Sequence, residues 1–380
     1  MTASGYEIRP YSSELLPQVA ELMQFLWGGV YETNVTYFQW KHVDNPYVDH
    51  PLAIVALKNG KLAGFRAYFA TKWLAGSEGS EFILLLPGDT CVHPDHRRQG
   101  LSVSMGNRAT QEFENKFKIY LNTSCSAGAL PGYKKLGFHS LMSKAILTID
   151  KKGKSYKDFI PRKIKNYLRK SGAMGTARIK FKTEKNGDPK GNKLDKILGG
   201  FGDILVSEKP NPEEMTRVIS RQKTKSANIR LFQDEAFFRW RFQNNKKKYL
   251  FYFYQPFAEI QGYIVLGLNA NYKQAMILDF AGVEGETLEE LLDFIIRSKW
   301  YDRLSIYNFG MNENLRRALT GLGIQQQNWE KEIKTHEKEA IPLLVRPVKA
   351  HPSEQDWLIH SIDIRQMENW DIKPISCDGE

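Results

Sequence analysis

The sequence predicts an α/β (α+β) protein built from two copies of one unit, each a mixed central sheet flanked by helices. Three observations carry that expectation. A chain of 380 residues exceeds what a single core usually organises, which points to two domains. Short motifs recur in the same order in both halves: YFQWKH (Tyr37 to His42) with FFRWRF (Phe237 to Phe242), Gly64-Phe65 with Gly262-Tyr263, YLNTS with IYNFG, and YKKLGF with LTGLGI. Around these motifs each half reads helix, strands, strand, helix, strand, helix, strand, the alternation of an α/β layer fold. The expected division is a first copy at 1–150, a basic linker with an amphipathic helix at 151–200, a second copy at 201–345, and a tail packing on the body at 346–380.

Composition excludes several classes. The longest apolar stretches, such as Phe82 to Leu86 and Tyr263 to Leu268, are too short to cross a bilayer. The first residues lack a basic start followed by an apolar run, so no secretory signal is expected. Three cysteines (Cys91, Cys125, Cys377), odd in number and without ligand spacing, suit a reducing cytoplasm and no metal. The net charge of +11 favours anionic partners without identifying one. Most of that excess lies between Lys151 and Lys196, where Phe159, Ile160, Ile164, Tyr167 and Leu168 fall at helical intervals. Such a helix either packs on a neighbouring domain or makes a weak peripheral contact with an anionic surface. No nucleic-acid signature accompanies it, so no specific nucleic-acid partner is expected. The oligomeric state stays open.

Taken in order, the first informative segment is the aromatic run FLWGGVYETNVTYFQWKHVDNPY. Phe38 and Trp40 recur in the second copy and are expected in the core; Trp27 and Tyr31 do not recur and are the acceptor-binding candidates. Strand-like residues follow, and then TCVHPDHRRQGL, Thr90 to Leu101. After Gly100, the residues Leu101, Met105, Ala109, Phe113 and Phe117 recur every four positions and predict an amphipathic helix with one buried stripe. The first turn of a helix presents unpaired N–H groups and positive dipole charge, which suits a phosphate. Gly100 has no side chain to block the approach, while Arg97 and Arg98 add charge and forked donors. This is a pyrophosphate cradle with neither a P-loop nor a dinucleotide fingerprint. The corresponding stretch of the second copy, LDFAGVEGETLEELLDFI, keeps the strand and helix but has lost the arginines and the helix-opening glycine. That copy is expected to be degenerate and not to bind the ligand.

VHPDHRRQGLS resembles the acetyl-CoA motif of the GNAT acetyltransferase superfamily, Val-x-Pro-x-x-Arg-x-x-Gly-x-Gly/Ala. Val92, Pro94, Arg97 and Gly100 match it and Ser102 departs from it; YLNTS and LPGYKKLGF resemble the family's fifth strand and its Tyr-x-x-x-Gly-Phe segment. The resemblance covers the first 150 residues. It implies two tandem GNAT-like domains with splayed sheets and acetyl-CoA as acetyl donor. The pantetheine arm would lie along Cys91, Val92 and His93, and the pyrophosphate on the N–H groups of Arg98, Gln99, Gly100, Leu101 and Ser102, beside Arg97. Asn122 would either bond that arm or finish a strand. Tyr133 would either protonate the departing thiolate or pack its ring. Asp89 is the candidate base, Glu32 and His42 lie on the acceptor side, and the alternative for Asp89 is a turn cap. Cys91 and Cys125 read as small buried thiols.

The activity implied is acetyl transfer to a primary amine by direct attack. The two-copy plan and the acceptor-side aromatics resemble bacterial acetyltransferases acting on amino sugars or similar small amines. The alternatives are acetylation of a protein or an aminoglycoside, or a non-catalytic acetyl-CoA-binding module. The residues after Val345 are too few for the third domain of the aminoglycoside enzymes.

Overall fold

The computed structural model describes residues 5–144, 146–150, 198–222, 229–269, 274–283, 285–298, 301–309, 311, 313–322 and 342–377. The amphipathic helix expected at Tyr156 to Lys170 lies outside the described residues. Two mixed sheets flanked by helices form tandem GNAT-like domains. No described helix is long and apolar enough to cross a membrane.

The first sheet begins β1 (Glu7–Pro10), β2 (Leu52–Lys58), β3 (Lys61–Ala75), β4 (Ser80–Val92) and β5 (Ile119–Asn122). The strand Pro342–Pro347 then lies between β5 and β6 (His139–Ser143), antiparallel to both. The strand β7 (Ile146–Asp150) crosses the other way and pairs with Arg303–Tyr307 in the second sheet. The halves thus exchange strands across the linear division at 150 and 345. A strand joins whichever edge pairs its backbone, and chain order does not fix that choice.

Alternation along β3 shows why these residues form a strand buried on both faces. Phe65, Ala67, Phe69 and Trp73 enter a central core shared by both halves, while Tyr68 and Ala70 enter the core beneath α4 (Leu101–Phe113). The stripe of α4 is buried at Leu101, Met105, Ala109 and Phe113, each large apolar side chain contributing about 1.5–3 kcal/mol. It ends sooner than the periodicity suggests. Phe117 sits half-buried in the turn beyond the helix, its N–H on the Phe113 carbonyl at 3.0 Å.

The repeated motifs meet at a pseudo-twofold contact. Trp40 and Trp240 stack at 5.8 Å, and each indole N–H donates to the other's carbonyl, at 2.6 and 2.8 Å. Such reciprocity is what a duplicated unit produces when its copies pack like a dimer. Phe38 and Trp40 are buried in the core. The Gly-aromatic pairs have a packing reason as well. A Cβ at Gly64 would meet Met105 of α4 at 3.3 Å, and one at Gly262 would meet Thr287 of the helix Gly285–Ser298 at 2.3 Å. The helix leaves no room for a side chain at Gly262, and at Gly64 the fit against Met105 and the Cys91 carbonyl is tight. The tail folds back: Trp370–Asp371 pairs with Ile229–Leu231, and Ile364, Ile372, Ile375 and Cys377 join the central core.

Candidate active site

The site forms where β4 and β5 part. They are paired only at Leu85 and Tyr120, although β4 runs on to Val92. Cys91 faces Phe65 and Gly88 faces Ala67, so Asp89 and Thr90 together oppose Arg66 in a bulge. Asp89 adopts φ 41° there. The N–H of His93 donates to Ala63 O at 2.9 Å, and strand alternation therefore turns Val92's N–H toward the gap. The Val92 carbonyl accepts from Arg97 Nε at 3.2 Å.

At the mouth of the gap, an open pocket of about 260 Å³ is lined by Val92, His96, Arg97, Arg98, Gly100 and Leu101 among others. Gly100 is the N-cap of α4 at φ 81°, and a Cβ there would meet nothing within 4 Å. The first N–H groups of this turn to find a carbonyl are those of Val103 and Ser104, both on Gly100 O. Those of Arg98 through Ser102 find none among the described residues, as a helix N-terminus dictates. Gln99 accepts from the Tyr6 hydroxyl at 2.8 Å, and His93 accepts from the Asp95 N–H at 3.3 Å. Deeper in, Asn122 is buried, with Oδ1 on the Ser124 N–H and Nδ2 unpartnered. Free donors at the helix end and an orphaned amide at the fork fit a phosphate-bearing thioester donor.

Tyr133, on α5 (Leu130–Lys135), is buried with its ring over the guanidinium of Arg66 at 4.8 Å. Burial pushes its phenol up and Arg66 opposes part of that rise, so the hydroxyl keeps its proton at neutral pH.

Asp89 points to the opposite face and is fully engaged. Its carboxylate accepts from Trp27 Nε1 (2.7 Å) and Lys41 Nζ (2.7 Å), lies 2.9 Å from His42 Nε2, and has the Tyr37 hydroxyl at 3.5 Å. Burial alone would raise its pKa, but Lys41 and the His42 hydrogen bond hold it well below the usual carboxylate range. A carboxylate saturated with donors, two of them basic side chains, has little affinity for another proton, which weighs against the expected role of general base. Trp27 therefore sits at Asp89, whereas among the described residues no hydrogen bond joins Tyr31, at the start of α3 (Tyr31–Phe38), to that cluster. Glu32 is exposed. Cys91 and Cys125 are buried thiols pushed up to about 11, chiefly by burial.

Two residues beside the candidate site were missed in the sequence reading. Lys246, from the second half, reaches Asn34 Oδ1 at 2.7 Å over the Tyr37 ring, on the Asp89 side. Arg66 had a signal: a lone charge within the apolar run LAGFRAYFA.

The second half keeps the geometry without the openings. Val283 N–H donates to Gln261 O at 2.9 Å, just as His93 does to Ala63. The next helix opens two residues after Val283, at Gly285, whereas α4 opens eight residues after His93, at Leu101, so no basic loop forms. Asn308, the counterpart of Asn122, donates to Ser143 O at 3.0 Å.

Residues 7–157 match the family model described as an acetyltransferase (GNAT) domain. A GCN5-related N-acetyltransferase from Anabaena variabilis superposes with a TM-score of 0.56 at 13% identity, over 90% of this chain and 73% of that one. The chain has the GNAT-superfamily fold. Similar in the same sense are a conserved protein of unknown function from Enterococcus faecalis, a probable N-acyltransferase (TM-score 0.54, 11% identity, 90% and 72% covered), and a GCN5-related N-acetyltransferase from Kribbella flavida (0.52, 9%, 91% and 72%). No curated protein sequence matches the chain. Fold and family match together support an acyl- or acetyltransferase-type enzyme. Among the described residues, no cluster of metal-ligating side chains occurs.

Proposed function

We propose that the first half is an acetyl-CoA-dependent N-acetyltransferase acting by direct attack on the primary amine of a small molecule, with amino sugars the first class to test. The observation that carries this reading is the asymmetry between the copies. Asn122 Nδ2 and the N–H groups from Arg98 to Ser102 have no internal partner, whereas the second half satisfies Asn308 and lacks the basic loop. A buried donor without a partner, as Asn122 Nδ2 is, is costly and persists where a ligand completes it, while the N–H groups at the exposed helix end stand open to an anion. The second copy is then degenerate, shaping the acceptor side through Lys246.

The donor, when bound, supplies an acetyl group activated as a thioester. In this reading Arg97, Arg98 and the opening turn of α4 hold the pyrophosphate. The Val92 N–H pairs with the arm like an added strand, and Asn122 orients its inner end. Tyr133 Oη gives its proton to the sulfur that leaves. Asp89 fixes Trp27, Lys41 and His42 as the wall of the acceptor side, and the amine's proton passes to solvent.

Following CoA thiol release across amino sugars, polyamines, aminoglycosides and peptides tests the reading. An amine that stimulates release at least tenfold supports it and names the acceptor class. Tight acetyl-CoA binding with no stimulation by any amine would favour a non-catalytic binding module instead.

A further inference from the structure

Arg66 is 1% exposed, and no carboxylate contacts it among the described residues. Its Nε donates to the Tyr68 hydroxyl at 2.7 Å and its Nη2 has no partner. The guanidinium lies 4.8 Å from the centre of the Tyr133 ring and 5.4 Å from that of Tyr68. A buried cation without a counter-ion is strongly disfavoured unless negative charge arises beside it.

The second copy shows that the fold does not need this charge. Two residues after the shared glycine, where the first copy has Arg66, the second has Ile264; where YKKLGF begins with Tyr133, LTGLGI begins with Leu319. Ile264 and Leu319 are both buried in one apolar core. The second copy thus carries neither the arginine nor the tyrosine.

We propose that Arg66 is a positioning residue that stabilises the negative charge developing on Tyr133 Oη as its proton leaves. This rests on the reading of Tyr133 as proton donor. In that step the acyl carbon–nitrogen bond forms and the carbon–sulfur bond breaks. The sulfur's electron pair takes the Tyr133 proton, the amine nitrogen releases one of its own to solvent, and the phenolate regains a proton from water. The other groups facing Tyr133 are Tyr68 on β3, Thr90 on β4 and Cys125 after β5, with Tyr120 and Arg346 behind and Lys144 beside Cys125. Cys125, pushed up to about 11, stays neutral over the useful pH range. Arg346 already donates to Lys349 O at 2.7 Å. Among the described residues, Arg66 is the one cation directly against the ring.

The test replaces Tyr133 with 3,5-difluorotyrosine in the full chain and follows its titration by fluorine NMR without ligand. Arg66→Met and Arg66→Gln should raise the midpoint by about 1.5 to 2.5 pH units, the scale for unit charges roughly 5–8 Å apart at an effective dielectric near 20. Arg66→Lys, which keeps the charge, should move it far less. The Gln variant serves if Met disturbs folding, since Gln retains a bond to Tyr68. An unchanged midpoint in both neutral variants overturns the proposal. With glucosamine or spermidine as acceptor, Arg66→Gln should lower kcat roughly 3- to 10-fold and add nothing in a Tyr133→Phe background. Additive losses would likewise overturn it. A wild-type kcat in Tyr133→Phe alone would instead remove the proton-donor reading and leave the electrostatic coupling to the NMR result.

Discussion

Replacing Gly100 separates what the backbone needs from what the ligand needs. At φ 81° and ψ 0° any L-residue with a Cβ is strained by roughly 1–2 kcal/mol, with asparagine the mildest case. Ala and Trp share that strain, so each should lower Tm by only a few degrees. They differ in what lies beyond Cβ. The space within 4 Å is empty, so an indole projects into the pocket beside Arg97 and Arg98 instead of into the core. Charge-assisted hydrogen bonds contribute about 1.5–3 kcal/mol each, so losing two of the N–H contacts costs at least about 3 kcal/mol, on the order of 100-fold in affinity. Calorimetric titration with acetyl-CoA should therefore show Gly100→Trp at least 100-fold weaker than Gly100→Ala at a similar Tm. Wild-type affinity in the Trp variant would show that the phosphate does not bind at this helix end.

Tyr133→Phe keeps the ring and removes one proton: acetyl-CoA affinity should hold while kcat falls about 10²-fold, the loss shrinking with a more acidic leaving thiol. An unchanged kcat under rate-limiting chemistry refutes the role. Asp89→Asn leaves buried Lys41 and His42 without their carboxylate and should destabilise the fold by about 3–5 kcal/mol, read by denaturant melts. Because the folded state holds the Asp89 carboxyl below its unfolded value, its contribution is complete above about pH 4 and lost as pH falls further. The variant should therefore lose stability less steeply in acid, and an identical acid slope would count against the pairing. Binding stoichiometry should be one acetyl-CoA per chain, and a value of two would overturn the degenerate reading of the second copy.

The features legible in the sequence were those that contiguous residues specify. A glycine opening a helix after a strand, with arginines beside it, sets its own dihedrals and exposes its own N–H groups, so the region from Val92 to Ser102 could be read one residue at a time. The stripe of α4 and the recurring Trp40 and Trp240 motifs were visible for the same reason, because helical period and duplication are properties of chain order. What the tertiary structure alone decided were roles set by neighbours distant in the chain. Asp89 reads as a base until Trp27, Lys41 and His42 converge on it and consume its lone pairs. Arg66 meets the Tyr133 ring, 4.8 Å away, only once the chain has folded. Strand exchange at Ile146–Asp150 and Pro342–Pro347 is likewise invisible locally, since any strand has the same backbone donors and acceptors and only the available edge selects its sheet. Proton affinity and strand pairing are both set by what stands within a few ångströms, and folding, not sequence order, chooses that company.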